Sequence, residues 1–273
     1  MDKIKLNAQV QKLSHMFSLD GTVVPVINIF PPLEIPSLGR CIEKIPLDRI
    51  TYSEDTDIAN HDIIELTVIV GPKPELILKV LKRSGSPRLP LFPDRCPICG
   101  EPMVNPAPGR KFKRCVNRCC RGQMPATIVL MIAALGLAFQ YPFKKVFDCL
   151  NSRGAFSSPV DIFLLGDDDF YFPNVSKLEV QTFQTYLHSI RGNTSLDRII
   201  NALRVPGWTD DREPFILRDY FNKNGWAITE FPRLFEPREQ EKIKNINWDG
   251  FNELLTVENN KRVIADLCRI LRL

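Results

Sequence analysis

The densest chemistry in this 273-residue chain lies between positions 96 and 120, where five of its eight cysteines fall: Cys96, Cys99, Cys115, Cys119 and Cys120. Two residues separate Cys96 from Cys99, so both sulfurs can reach one ion. Gly100 permits the turn in which backbone N–H groups face those sulfurs. A second pair joins Cys115 to either Cys119 or Cys120, with three or four residues between. Fifteen residues separate the two pairs, enough for a β-hairpin to fold back. Four thiolates at about 2.3 Å from Zn²⁺ make a closed structural site. The segment holds no histidine and leaves no open coordination position, so a catalytic zinc is not expected. Cys41, Cys149 and Cys268 are scattered in apolar surroundings. Clustered cysteines point to metal, because a disulfide framework spreads them along a short secreted chain.

A zinc bound by four thiolates adds −2, which lowers the formal net charge from +4 to about +2. Residues 95 to 121 nevertheless hold seven Lys or Arg and a single acid, Glu101. That surplus either compensates the metal site or faces a phosphate backbone.

Three turns have the composition of phosphate-holding helical hairpins. A tight turn can aim backbone N–H groups at a phosphate, and the next helix adds its positive end. Leu203-Arg-Val-Pro206-Gly207-Trp208-Thr209 is the best formed. Phe172-Pro173-Asn174-Val175-Ser176-Lys177 replaces glycine by asparagine, which tolerates left-handed backbone. Ile246-Asn-Trp248-Asp-Gly250 has its glycine displaced and an acid beside it. Leu135-Gly136-Leu137 is a degenerate fourth. They recur every 35–40 residues or so among amphipathic segments. The tryptophans are read as core residues rather than base-stacking ones.

These sites need elements to position them. Residues 1–84 read as β: IKLNAQVQKL, VVPVINIF, GRCIEKIPL, IIELTVIV and PELILKVL alternate or are rich in β-branched residues. Five short strands suit a small barrel, the OB-fold being one common five-stranded choice and an SH3-like barrel another. The polar stretch 51–60 between the third and fourth is compatible with a helical turn. Its acids, Glu54, Asp55 and Asp57, read as a solvated face rather than a Mg²⁺ nuclease site. Residues 85–123 form a Pro/Gly/Ser-rich linker and the zinc module, and 124–273 turn helical, with i, i+3, i+4 apolar spacing in TIVLMIAALGLAF, PFKKVFDCLNS, VDIFLL (160–165), KLEVQTFQTYLHSI, SLDRIINAL, PFILRDYFNKN and NKRVIADLCRILRL. The expected class is therefore multidomain: β-barrel, four-cysteine zinc module, all-α array. The longest apolar run, Ala126 to Phe139, is too short to span a bilayer. The first thirteen residues carry charges and no apolar core, so a cytoplasmic location is expected.

The order barrel, zinc module, helical hairpins resembles the C-terminal half of bacterial NAD⁺-dependent DNA ligases. Arg49-Ile-Thr51-Tyr-Ser-Glu-Asp-Thr-Asp57-Ile58 and Asp62-Ile63 are similar to stretches of that family's OB domain. Cys96-Pro-Ile-Cys99-Gly and the C-x₄-C followed by Gly122-Gln123 look like its zinc module, which favours Cys120 as the fourth ligand. Ser158-Pro-Val-Asp161 and Asn260-Lys-Arg-Val-Ile264 resemble segments of its helix-hairpin-helix array. The family's chemistry resides in a K-x-D-G lysine, and no K-x-D-G occurs here: Asp20-Gly21 and Asp249-Gly250 both lack the lysine.

The resemblance implies no catalytic residue in this chain. It implies a structural Zn²⁺ on Cys96, Cys99, Cys115 and Cys120. Contacts to nicked duplex DNA are expected from Arg49, Thr51, Pro173, Asn174, Ser176, Lys177, Pro206, Gly207, Trp208, Thr209 and Gly250. It further implies a DNA-clamping subunit of a split ligase of bacteriophage type. A separate adenylating subunit would use NAD⁺ and Mg²⁺, and replication and repair would be the context. The alternative is a non-catalytic OB/zinc/hairpin accessory protein that binds DNA.

Overall fold

The computed structural model describes residues 3–18, 21–35, 39–51, 57–69, 75–87, 93–105, 112–136, 141–208 and 212–271. The chain divides into two compact units, residues 1–115 and 116–273.

Among the described residues of the first unit, five strands form one antiparallel sheet: β1 (Lys3–Phe17), β2 (Val23–Ile35), β3 (Arg40–Pro46), β4 (Ile63–Ile69) and β5 (Glu75–Lys82). All five expected strands are present. The strand order is β3-β2-β1-β4-β5. Period-2 patterning explains the register. In β4, Ile64, Leu66 and Val68 turn inward while Ile63, Glu65 and Thr67 face out. The inward set packs with Ala8, Val10, Ile27, Ile29, Leu33, Ile45, Leu47, Ile58 and Leu78. Burying a side chain of this size contributes about 1.5–3 kcal/mol each against chain entropy.

The order leaves β3 and β5 at the two edges. Past β3 the chain makes a 3-10 turn over Leu47–Arg49, and Thr51 then bridges Ile77 of β5 in parallel. The Thr51 N–H donates to the Leu76 carbonyl at 2.8 Å, and the Leu78 N–H donates to Thr51 at 3.0 Å. The edges are thereby joined, which removes unpaired strand groups.

The helical turn expected at 51–60 falls partly on residues 52–56, outside the described set. The described part is held by Asp62, a fully buried carboxylate. Its oxygens accept from the Ala59 N–H at 2.9 Å and the Ser84 N–H at 2.6 Å. The loop breaks into β1 at its bulge between Val10 and Lys12, where the His61 N–H donates to Val10.

A two-stranded piece, β6 (Met103–Val104) with β7 (Arg114–Cys115), completes this unit. The Val23 N–H donates to the Lys113 carbonyl at 2.9 Å, and the Cys115 N–H donates to Gly21 at 3.0 Å.

The second unit is helical: α1 (Met124–Ala134), α2 (Tyr141–Ser152), α3 (Lys177–Asn193), α4 (Leu196–Ala202), α5 (Glu213–Asn224), α6 (Pro237–Gln240), α7 (Asp249–Leu255) and α8 (Glu258–Ile270). Its core holds Ile128, Phe163, Phe183, Leu217, Phe221, Phe231, Phe251 and Leu267. Two expectations change. The helix expected over 160–165 is a 3-10 stretch, Pro159–Phe163, because Pro159 starts it and Gly166 follows within one turn. The Trp248-Asp-Gly250 segment, read as a turn, opens α7. No described helix is long and apolar enough to cross a membrane.

Candidate metal centre and helical turns

The sulfurs of Cys96, Cys99, Cys115 and Cys120 all lie within 4.8 Å of one another. Cys99 Sγ and Cys115 Sγ are 3.7 Å apart. A tetrahedron with metal–sulfur bonds of about 2.3 Å has edges of about 3.8 Å, so the donor set and its spacing both fit Zn²⁺.

Local backbone chemistry builds each half of the site. Gly100 has φ +75°, and its N–H donates to the Cys96 carbonyl at 2.9 Å. The Cys96 N–H donates to Glu101 at 2.8 Å, closing the knuckle. Only glycine takes this left-handed turn without strain. Pairing of Met103 with Cys115 then brings the third sulfur back to the first two.

The fourth sulfur is set by a buried polar knot. Asn117 is 4% exposed and Gln123 2%. Gln123 Nε2 donates to the Asn117 carbonyl at 2.6 Å, and Asn117 Oδ1 accepts from the Cys119 N–H at 3.0 Å. The Cys120 N–H donates to the Asn117 carbonyl, while the Cys120 carbonyl accepts from Gln123 and Met124, opening α1.

Cys119 stands apart from the four. Burial pushes its thiol above the ordinary range and a neighbouring Asp161 adds to this, while Ser158 and Arg262 act in the opposite direction. Burial also pushes the core thiol of Cys268 up to about 12. His15, which the sequence left isolated, lies near enough to feel the charge of Cys96. Burial holds its imidazole below the ordinary value, and the Cys96 charge opposes that.

The best-formed turn, Val205 to Trp208, is of type II. Pro206 takes the first corner and Gly207 the second, at φ +79°, and the Trp208 N–H donates to the Val205 carbonyl at 3.2 Å. Gly207 is exposed with open space around it. The preceding Arg204 is itself left-handed, at φ +47°. For a residue with a side chain that conformation costs about 1–3 kcal/mol.

Two of the expected hairpins pack against each other. The Trp208 ring lies 5.6 Å from Phe251 at 17° and edge-on to Trp248 at 5.7 Å. Its Nε1 donates to the Asn247 carbonyl at 2.7 Å. The side chain of Trp208 therefore serves turn-to-turn packing. Gly250 likewise has a different role from the phosphate approach expected of it. It is buried, and a Cβ there would lie 1.8 Å from the Pro206 carbonyl oxygen. Gly250→Ala is expected to cost about 2 kcal/mol by forcing the two backbones apart. A denaturant melt checks this, and an unchanged midpoint at unchanged slope contradicts it.

At the Phe172–Lys177 turn, Pro173, Asn174, Ser176 and Lys177 are exposed, while Phe172 and Val175 are buried. Both backbone and side-chain groups of Ser176 are spent on a capping box. Its Oγ accepts from the Glu179 N–H at 3.2 Å, and its N–H donates to Glu179 Oε2 at 2.7 Å. These bonds to Ser176 hold the Glu179 carboxyl below its ordinary value, with Lys145 adding to them. Arg153 sits 4.5 Å over the Phe172 ring. Three acids, Asp167, Asp168 and Asp169, precede the turn closely.

Arg49 is exposed beside the 3-10 turn of the first unit. Thr51 is exposed, with its backbone in the edge bridge and its hydroxyl donating to Glu75 at 3.3 Å. Thr209 lies outside the described residues, as do Leu137 and the acids Glu54 and Asp55.

Sequence reasoning missed the residues that anchor the Cys115–Cys120 loop within the second unit. Asn260 is 1% exposed. Its Nδ2 donates to the Val116 carbonyl at 2.8 Å and the Leu254 carbonyl at 2.9 Å, and its Oδ1 accepts from the Arg118 N–H at 2.8 Å. The Arg118 guanidinium donates to the Leu203 carbonyl at 3.3 Å and the Arg204 carbonyl at 2.5 Å. The one sequence signal was an asparagine among apolar positions of an amphipathic helix.

Comparison with known proteins finds several relatives named DNA ligase. The chain is 22% identical over 253 residues to the DNA ligase of Petrotoga mobilis, covering 90% of this chain and 36% of that protein. It is 32% identical over 194 residues to the DNA ligase of Chlamydia trachomatis serovar D, covering 68% and 27%. It is 31% identical over 134 residues to that of Nitratidesulfovibrio vulgaris strain Hildenborough, covering 48% and 17%. The chain thus spans about a third or less of the curated relatives it matches. No protein-family model matches it.

Proposed function

We propose that this chain is the DNA-clamping part of an NAD⁺-dependent DNA ligase and acts with a separate adenylating chain that carries the reactive K-x-D-G lysine. The observation that carries this reading is the match to proteins named DNA ligase along 90% of the chain, against 36% of the relative, in a sequence with no K-x-D-G. The five-stranded order with its parallel edge bridge supports an OB-fold. The paired turns supply part of a helix-hairpin-helix array.

On this reading Zn²⁺ on Cys96, Cys99, Cys115 and Cys120 is structural, and NAD⁺ and Mg²⁺ belong to the adenylating partner. Contacts to the nicked duplex come from Arg49, Thr51, the exposed Pro173, Asn174 and Lys177, and the Pro206–Thr209 turn. Backbone N–H groups of such turns hold phosphate without reading sequence. The contribution to catalysis is orientation of the nick, which can supply a large share of a barrier.

The test combines this chain with an adenylating polypeptide bearing K-x-D-G. Nick sealing is expected only when both chains and NAD⁺ are present, with ATP giving none. Binding to nicked duplex that weakens steeply with salt is expected of the chain alone. Tight DNA binding without sealing in the mixture overturns the ligase reading in favour of an accessory binder.

A further inference from the structure

We infer that Arg118 is a positioning residue that ties the Cys115–Cys120 loop to the Val205–Trp208 turn, so that the metal loop sets the shape in which that turn meets DNA. The inference rests on the reading of the turn as a DNA contact.

Arg118 stands between Cys115 and Cys120, and its own N–H is held by the buried Asn260. Its backbone is therefore fixed before its side chain is considered. The guanidinium then reaches the carbonyls of the two residues that follow α4, Leu203 and Arg204. Both carbonyls lie just past the end of α4 at Ala202, where a helix leaves carbonyls for side chains to satisfy. A cation placed there also meets the negative end of the helix.

The strained left-handed Arg204 needs such an anchor. It is the hinge through which α4 passes into Pro206-Gly207, and its carbonyl is the one Arg118 holds at 2.5 Å. From the other side, Trp208 is fixed through Asn247, Trp248 and Phe251. The turn is thus pinned at both ends and open only at the exposed Gly207. Side-chain contact with phosphate is not the role proposed, because Nη2 donates to both carbonyls and holds the guanidinium against them.

The experiment measures affinity of the zinc-loaded chain for nicked duplex over a salt series, for Arg118→Gln, Arg118→Lys, Gly207→Val and the Arg118→Gln/Gly207→Val pair, with zinc content measured on each. Arg118→Gln is expected to bind about tenfold more weakly with one zinc per chain retained, and Arg118→Lys to recover part of the loss. The salt slope should stay unchanged, since backbone N–H contacts release no counterions. A slope lowered by about one marks Arg118 as a phosphate contact and overturns the proposal. The double variant should be no weaker than Gly207→Val, because a displaced turn has nothing left to lose. Additive losses overturn the proposal. If Gly207→Val binds as the parent does, the reading of the turn as a DNA contact fails. If Gly207→Val is weak and Arg118→Gln is not, only the role of Arg118 fails.

Discussion

Cys120→Ala is expected to lose bound zinc and to unfold the segment from Asp94 to Met124, whereas Cys119→Ala is expected to keep one zinc per chain and a near-parental melt. The size of the first effect follows from linkage between metal binding and folding. Structural zinc in small modules contributes about 10–16 kcal/mol of apparent folding energy at neutral pH. That is comparable to the whole stability of an ordinary domain, about 5–15 kcal/mol. Few alternative interactions support this segment: β6 and β7 are two residues each, and Cys99 is only half-buried. The sulfurs replace a core here. Cys119 lies outside the sulfur quartet, so its removal takes away no ligand. Elemental analysis of the two purified variants decides the matter. Full zinc stoichiometry in Cys120→Ala would sink the assignment. Acid should release the metal from the parent, because protons compete with zinc for thiolates.

Asn260→Ala is expected to destabilise the helical unit by about 3–5 kcal/mol, the largest loss among substitutions away from the cysteines. Three bonds disappear together, leaving the Val116 and Leu254 carbonyls and the Arg118 N–H without the side chain that satisfies them. Each buried polar group so abandoned costs about 1–3 kcal/mol. For a unit of this size that corresponds to a melting point lower by roughly 10–15 °C. Asn260→Asp should do no better, since a carboxylate cannot donate to two carbonyls and brings a charge into the interior. Thermal unfolding followed by circular dichroism reads the effect, and a shift under about 2 °C in both variants would contradict this account. The placement of Asn260 explains why the cost is high: one side chain joins the end of α7, the start of α8 and the cysteine loop.

Much of the architecture was legible from local pattern. All five strands of the first unit follow from alternation or from β-branched apolar runs such as Val23–Phe30, because each strand must present an apolar face to a shared core. In β4 burial alternates over the full length, with Ile64, Leu66 and Val68 inward and the polar Glu65 and Thr67 between them fixing the register. Helical periodicity located α2, α3, α4, α5 and α8. It failed at Pro159–Phe163, where apolar spacing was right but proline and glycine left room for a single tight turn. It also failed at α7, whose first residues have turn chemistry. Asp249 sits there in the first turn of a helix, where acids are favourable, and Gly250 is explained by the backbone it touches.

The cysteine knuckle is a property of sequence alone, because C-x₂-C followed by glycine dictates its own geometry within five residues. Choosing between Cys119 and Cys120 was beyond spacing, since both fall within reach of Cys115. Tertiary structure decided it through Asn117 and Gln123, which turn one sulfur toward the other three and leave its neighbour beside Ser158 and Asp161. The pairing of the two turns and the hold of Asn260 and Arg118 on the metal loop were equally beyond sequence. Those bonds join residues 39 to 144 positions apart. Periodicity reports which side of an element is apolar; it does not report which distant carbonyl a polar side chain will find once the core has closed.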